Sequence, residues 1–164
     1  MDTEYSEKLR EILSYSKEEA IRLGNDLIGV DHFSLGILRD GDNNAVAILE
    51  LLGVDLNDMR MKIENLLRQT QSLNAKQSEH IPLKKNAEKV LKIINLEAKL
   101  LNSVEVLPEH LLLAIVKDTE AVSAKILKDY AVDYASIKEN INSTQPKIKS
   151  ELPYDDDDEG KEIG

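Results

Sequence analysis

Apolar residues recur every three or four positions along most of this chain, with charged and polar residues filling the gaps. Leu9, Ile12, Leu13, Ala20 and Leu23 fall on one face of a helix of 3.6 residues per turn. Gly24 follows, where a left-handed residue closes such a helix. Asp31 then stands where an N-cap belongs, ahead of a short helix through Leu38 that Gly41 can end. A third helix over about 44–52 stops at Gly53, and a fourth starts after Asp55 and runs towards Arg68. Helices this short are marginal in water, so packing of their apolar faces must hold them.

The whole pattern returns 78 residues later, where residues 87–141 align with 9–63 without a gap. GVDHFSLGILRD at 29–40 meets LPEHLLLAIVKD at 107–118, with Asp31 opposite Glu109 and His32 opposite His110. Glu19 meets Glu97, Asp40 meets Asp118, and Val54 meets Val132. The second copy repeats the first stripe with Ala87, Val90, Leu91, Ile94, Ala98 and Leu101, and Pro108 suits a first helical turn. Further helices are expected at about 121–130 and 133–141. The run Leu111 to Leu113 with Ile115 and Val116 is apolar nearly all round and reads as core between the copies. The expected fold is therefore all-α, with eight helices in two pseudo-symmetric four-helix repeats, about 5–70 and 82–142, in one domain over 1–142. Residues 71–82 join the copies. From 143 to 164 the periodicity stops, and an acidic segment rich in Pro, Gly and Ser has too few apolar residues to offset its ordering entropy. It reads as a disordered acidic C-terminal tail, a flexible linker of a kind that leads to a further module.

Charge narrows the function. The 164 residues carry 31 acids against 21 bases, a net −10, so the general field repels nucleic acid and anionic lipid. Aromatic residues make up 4%, with no Trp, which removes the stacking platforms of single-strand binders. There is no Cys, which suits a reducing compartment. No run approaches the roughly 18 apolar residues of a spanning helix, and the first residues have no signal-peptide core. A cytoplasmic protein without nucleic-acid or membrane partners is expected.

EEAIRLGNDLIGVDHFSLGILRDGDNNAVAILELLGVDL resembles the first repeat of the Clp amino-terminal domain, and EAKLLNSVEVLPEHLLLAIVKD with AKILKDYAVD resembles the second. The resemblance covers residues 5–142 and is closest to the amino-terminal domains of ClpC-type AAA+ unfoldases. It implies a monomeric recognition domain, tethered by a flexible linker to ATPase rings that thread proteins into the ClpP protease. Its partners would be unfolded or tagged clients and adaptor proteins. ATP and magnesium would belong to the rings. This segment carries no GxxxxGK[ST] loop of its own and needs no cofactor. A stand-alone helical adaptor or scaffold, with no ring attached, is the alternative.

Asp31 and Glu109 admit two readings. A carboxylate at a helix start accepts backbone N–H groups and suits the positive end of the dipole. Two exposed acids at equivalent sites would also receive a cationic group, a guanidinium best of all. The resemblance implies the second role: in ClpC-like domains that bind phosphorylated arginine, this acid contacts the guanidinium, while a hydroxyl and backbone N–H groups at the start of the repeat's first helix hold the phosphate. Those roles fall on Asp31 with Ser6 in copy one, and on Glu109 with Lys84 in copy two. Asp31 is one methylene shorter than the family's usual Glu, and Lys84 replaces a Thr. His32 and His110 lack the spacing of metal ligands and are expected to hydrogen-bond near their helix starts. A metal-dependent hydrolase is the third and weakest reading, since there is no metal motif and no nucleophile elbow.

Overall fold

Capping chemistry divides the chain. In the computed structural model, which describes residues 4–70 and 80–144 with side chains to Ile141, Ser6 opens α1 (Glu7–Arg22) by accepting the Leu9 N–H at 3.1 Å. The chain then turns left-handed at Gly24 and enters α2 (Val30–Asp40), which ends at left-handed Gly41. Asn43 caps α3 (Asn44–Leu51), Gly53 turns the chain, and Asp55 caps α4 (Leu56–Gln69). The second copy runs α5 (Lys85–Leu100), α6 (Pro108–Lys117), α7 (Val122–Asp129) and α8 (Tyr134–Thr144). Asn102 and Ala131 hold the positions of Gly24 and Gly53 and keep the same positive φ, 56° and 60°. The left-handed turns are therefore dictated by the fold rather than permitted by glycine, at a cost of about 1 kcal/mol each.

Eight helices in two repeats are thus present among the described residues. None of them is long and apolar enough to cross a membrane. The expected connection over 71–82 is described only from His80, and of the expected tail over 143–164 only residues 143 and 144, which lie inside α8; the remainder of both is outside the described residues.

The core joins the copies. Leu111, Leu112, Leu113 and Ile115 of α6 are all buried, as their unbroken apolar run predicts, and α6 packs on helices of both repeats. Within repeat one, α1 lies close against α2 over Gly36, whose absent side chain makes room for the Ile12 carbonyl and Ser16.

Short parallel pairings cross between the copies. β1 (Glu4–Tyr5), just before α1, pairs with β2 (Glu105–Val106), just before α6. In mirror fashion Leu83, just before α5, bridges Ile28, just before α2. The lead-in to each repeat's first helix is stitched to the other repeat: the Ser6 N–H donates to the Val106 carbonyl at 2.9 Å, and the Lys84 N–H to the Ile28 carbonyl at 2.8 Å. No residue pattern of two or three positions announces a strand this short.

Candidate functional site

Asp31 is not the N-cap of α2. Gly29 holds that place in extended backbone, and Asp31 is the second helical residue. The donor at the cap is satisfied instead by His32, whose Nδ1 accepts the Gly29 N–H at 2.9 Å, and His110 does the same for the Leu107 N–H at 2.8 Å. With Nδ1 accepting, the His32 proton sits on Nε2, which donates to Asn25 Oδ1 at 2.9 Å. Ser103 replaces Asn25 in repeat two and donates to the Glu105 carbonyl, so His110 Nε2 is left buried without a partner among the described residues. Both rings are excluded from water, and burial pushes each pKa down to about 4.

The Asp31 carboxylate reaches across to repeat two. Oδ2 accepts the Val122 N–H at 3.2 Å; Oδ1 accepts the Ser123 N–H at 2.8 Å and the Ser123 hydroxyl at 2.6 Å. These N–H groups open α7, whose own N-cap, Ala121, has no side chain able to accept them. Asp31 is thus the N-cap of a helix 91 residues away. In repeat one the equivalent cap is Asn43, which accepts the Val46 N–H at 2.9 Å and needs no help. Among the described residues Glu109 therefore meets only the Asn44 side-chain amide, 3.0 Å from Oε2. Glu109 is 0% exposed, and its Oε1 has no hydrogen-bond partner among the described residues. The expectation of two exposed, interchangeable acids is corrected: Asp31 is half-buried and engaged by a helix end, and Glu109 is buried.

Asp31→Ala is accordingly expected to lower stability by about 2 kcal/mol, since it strips two backbone donors and a hydroxyl of a charged acceptor. Urea unfolding measures this. A loss below about 0.5 kcal/mol would show that α7 does not depend on the remote cap.

Ser6 and Lys84 do occupy equivalent places, as the N-caps of α1 and α5, with backbone angles of φ −65°, ψ 159° and φ −66°, ψ 157°. The crossed pairings change their partners. Ser6 lies at the lead-in to α6, which carries Glu109, and Lys84 at the lead-in to α2, which carries Asp31. The expected couples, Ser6 with Asp31 and Lys84 with Glu109, are thus exchanged, because each first helix is stitched to the opposite copy. The Lys84 stem lies over Gly29, and Lys84 lines a concavity of about 210 Å³ with Asn25, Asp26, His32 and Thr70.

A second matched pair carries a role that the sequence pattern leaves unassigned. Glu19 and Glu97, buried, face the ends of α2 and α6. Arg22 and Arg39 bind Glu19; Lys117, at the position of Arg39, sits 2.6 Å from Glu97, and the Tyr134 hydroxyl donates to Glu97 at 2.6 Å. Burial opposes ionisation of Glu19, yet its two guanidinium partners outweigh that and hold its carboxyl below the ordinary value. Burial, followed by the bond to Glu97, pushes Tyr134 up to about 12. The signal available beforehand was an acid at an otherwise apolar face in both copies, with a base at position 39 and again at 117. These pairs fasten the first helix of each repeat to its second.

Residues 4–130 and 97–158 match the family described as the Clp repeat (R) N-terminal domain. The chain is 32% identical over 137 residues to an ATP-dependent Clp protease ATP-binding subunit ClpA homolog of Cyanidium caldarium, and 29% identical to the negative regulator of genetic competence ClpC/MecB of Bacillus subtilis. A chaperone protein ClpB of Oceanobacillus iheyensis is 28% identical over the same length. In each case the match takes in 84% of this chain and 16% of the relative. Identities this even across ClpA, ClpB and ClpC names do not single out ClpC, towards which the sequence resemblance leaned. Among solved structures, the Hsp104 N-terminal domain from Candida albicans shares the fold at a TM-score of 0.72 and 18% identity, covering 87% of this chain and 93% of that one.

Proposed function

The chain belongs to the Clp repeat N-terminal domain family, the kind of domain found in Clp AAA+ chaperones, and from that premise we propose that it is the client- and adaptor-recognition domain of a ClpC-like cytoplasmic unfoldase feeding the ClpP protease. The chain spans 16% of the length of the relatives cited, so the ring and its ATP chemistry lie in the remainder of such a protein. A tether between domain and ring makes delivery intramolecular, and weak individual contacts then suffice. The gene downstream of Gly164 tests the tethering: an ATPase module with a phosphate-binding loop supports it, and a stop codon converts the reading to a free-standing adaptor.

Of the two proposed docking points, the Ser6–Glu109 junction is the better receiver of a cationic group. The carrying observation is the buried Glu109 Oε1, a carboxylate oxygen with an unused lone pair, where Asp31 has spent both oxygens on α7. A guanidinium could take that oxygen, and the Ser6 hydroxyl with the first N–H groups of α1 would face an attached phosphate. Entry requires the side chains at the α3–α6 junction, Asn44 among them, to give way. At the other junction Lys84 supplies a point charge and no fixed hydroxyl.

Titration with phosphoarginine is expected to perturb the amides around Ser6 and Glu109 before those around Lys84 and Asp31. Glu109→Gln should weaken binding at least tenfold with melting preserved, and Lys84→Ala should change it less than twofold. Equal perturbation of both junctions, or undiminished affinity in Glu109→Gln, would defeat the assignment.

A further inference from the structure

The first helices of the duplicated copies differ in a way that packing does not require. The buried faces of α1 and α5 correspond residue for residue, with Leu9 against Ala87, Ile12 against Val90, Glu19 against Glu97 and Ala20 against Ala98. Their outward faces are opposed in charge. Glu7, Glu11 and Ser14 on α1 become Lys85, Lys89 and Lys92 on α5. Glu18 and Arg22, tied on α1 to Arg39 and to Glu19 and Glu64, become Leu96 and Leu100, which are 53% and 63% exposed. On a helical wheel these α5 positions form one stripe, three lysines followed by two leucines, with Glu88 at its edge. Among the described residues Lys85, Lys89 and Lys92 make no ion pair. In a chain of net charge −10, such a basic and apolar stripe runs against the general field.

We propose that this stripe seats the chain's own acidic segment, residues 152–159, LPYDDDDE. The segment carries the complementary chemistry in the complementary order: an apolar triplet, Leu152 to Tyr154, then five consecutive acids. Laid antiparallel to α5, the triplet meets Leu96 and Leu100 and the acids run along Lys92, Lys89 and Lys85. The lengths agree. From Leu96 back to Lys85 the helix rises about 16 Å, and five extended residues from Tyr154 to Glu159 span about 17 Å. Reach is sufficient too. The Tyr134 hydroxyl, at the start of α8, contacts Glu97 in the last turn of α5, beside Leu96 and Leu100; α8 is about 16 Å long, and the eight residues from 144 to 152 extend up to about 26 Å. Exposed ion pairs are individually weak and screened by salt, so the tether is what makes this contact matter. While seated, the segment shields the α5 leucines from other proteins.

The test compares the full chain with one ending at residue 150 by amide NMR. Removing the segment is expected to shift the outward α5 amides, and the peptide LPYDDDDE added in trans should restore them. Lys89→Glu with Lys92→Glu, both at exposed positions, should weaken the peptide at least tenfold, and 0.5 M NaCl should do the same. A melting curve confirms that the double variant folds. Identical α5 shifts with and without the segment would overturn the proposal, as would peptide affinity indifferent to the lysines. Shifts that depend on protein concentration would assign the stripe to a second copy instead.

Discussion

Acidifying the protein from pH 6.5 to 4 is expected to remove a large part of its stability. His32 and His110 are buried neutral, with folded pKa values lowered to about 4, whereas an unfolded histidine titrates near 6.5. Between those limits the unfolded chain binds protons that the folded one refuses, so stability falls as pH falls through that window and is fully retained above it. Each histidine contributes at most about 3 kcal/mol, and two together rival a small domain's net stability of about 5–15 kcal/mol. Glu19, with its pKa lowered, adds its loss only below its ordinary value of 4.5. Urea unfolding at pH 7, 5.5 and 4.5 reads the slope directly. His32→Gln with His110→Gln should flatten it, because Gln at the third helical position still accepts the N-cap N–H and does not titrate. An unchanged slope in that variant would clear the histidines.

Gly36→Ala is expected to destabilise the protein by about 3 kcal/mol. A Cβ there would lie 2.4 Å from Ser16 Oγ and 2.5 Å from the Ile12 carbonyl oxygen. Ser16 could rotate, although its hydroxyl would then release the Ile12 carbonyl it now bonds at 2.9 Å. The carbonyl belongs to helix backbone and cannot move without parting α1 from α2. The sign decides the matter. In a loosely packed helix Gly to Ala stabilises by about 1 kcal/mol through propensity, so a gain in denaturant midpoint would refute the close approach. The position 78 residues on is Ala114, buried, and the second copy thus accommodates the methyl that the first excludes.

Much of this architecture was legible from the chain itself, because periodicity reports which face is buried and the caps report where helices stop. Gly24, Gly41 and Gly53 marked their turns, Asp55 its helix, and the run from Leu111 to Ile115 its place in the core. Two-residue strands were invisible, since alternation needs more positions to show. Their absence from the reading had a consequence at the candidate site, where Ser6 and Lys84 were assigned to the acids of their own copies. Asp31 misled for a different reason: it is a good cap, but for a helix whose own cap is Ala121, and no local window contains both. Remote capping depends on tertiary arrangement, which single-chain spacing does not encode.

The crossed stitching of the copies has an evolutionary reading. Crossed contacts recur in pairs at equivalent positions: Tyr5 with Val106 against Leu83 with Ile28, and Asp31 towards Val122 against Glu109 towards Asn44. That is the signature of an isologous homodimer, in which one surface patch serves both partners. A lone ancestral repeat would have completed itself by exchanging arms with an identical twin. Joining the twins in one polypeptide released them from sameness, leaving one outer helix free to gather lysines and leucines where the other keeps acids.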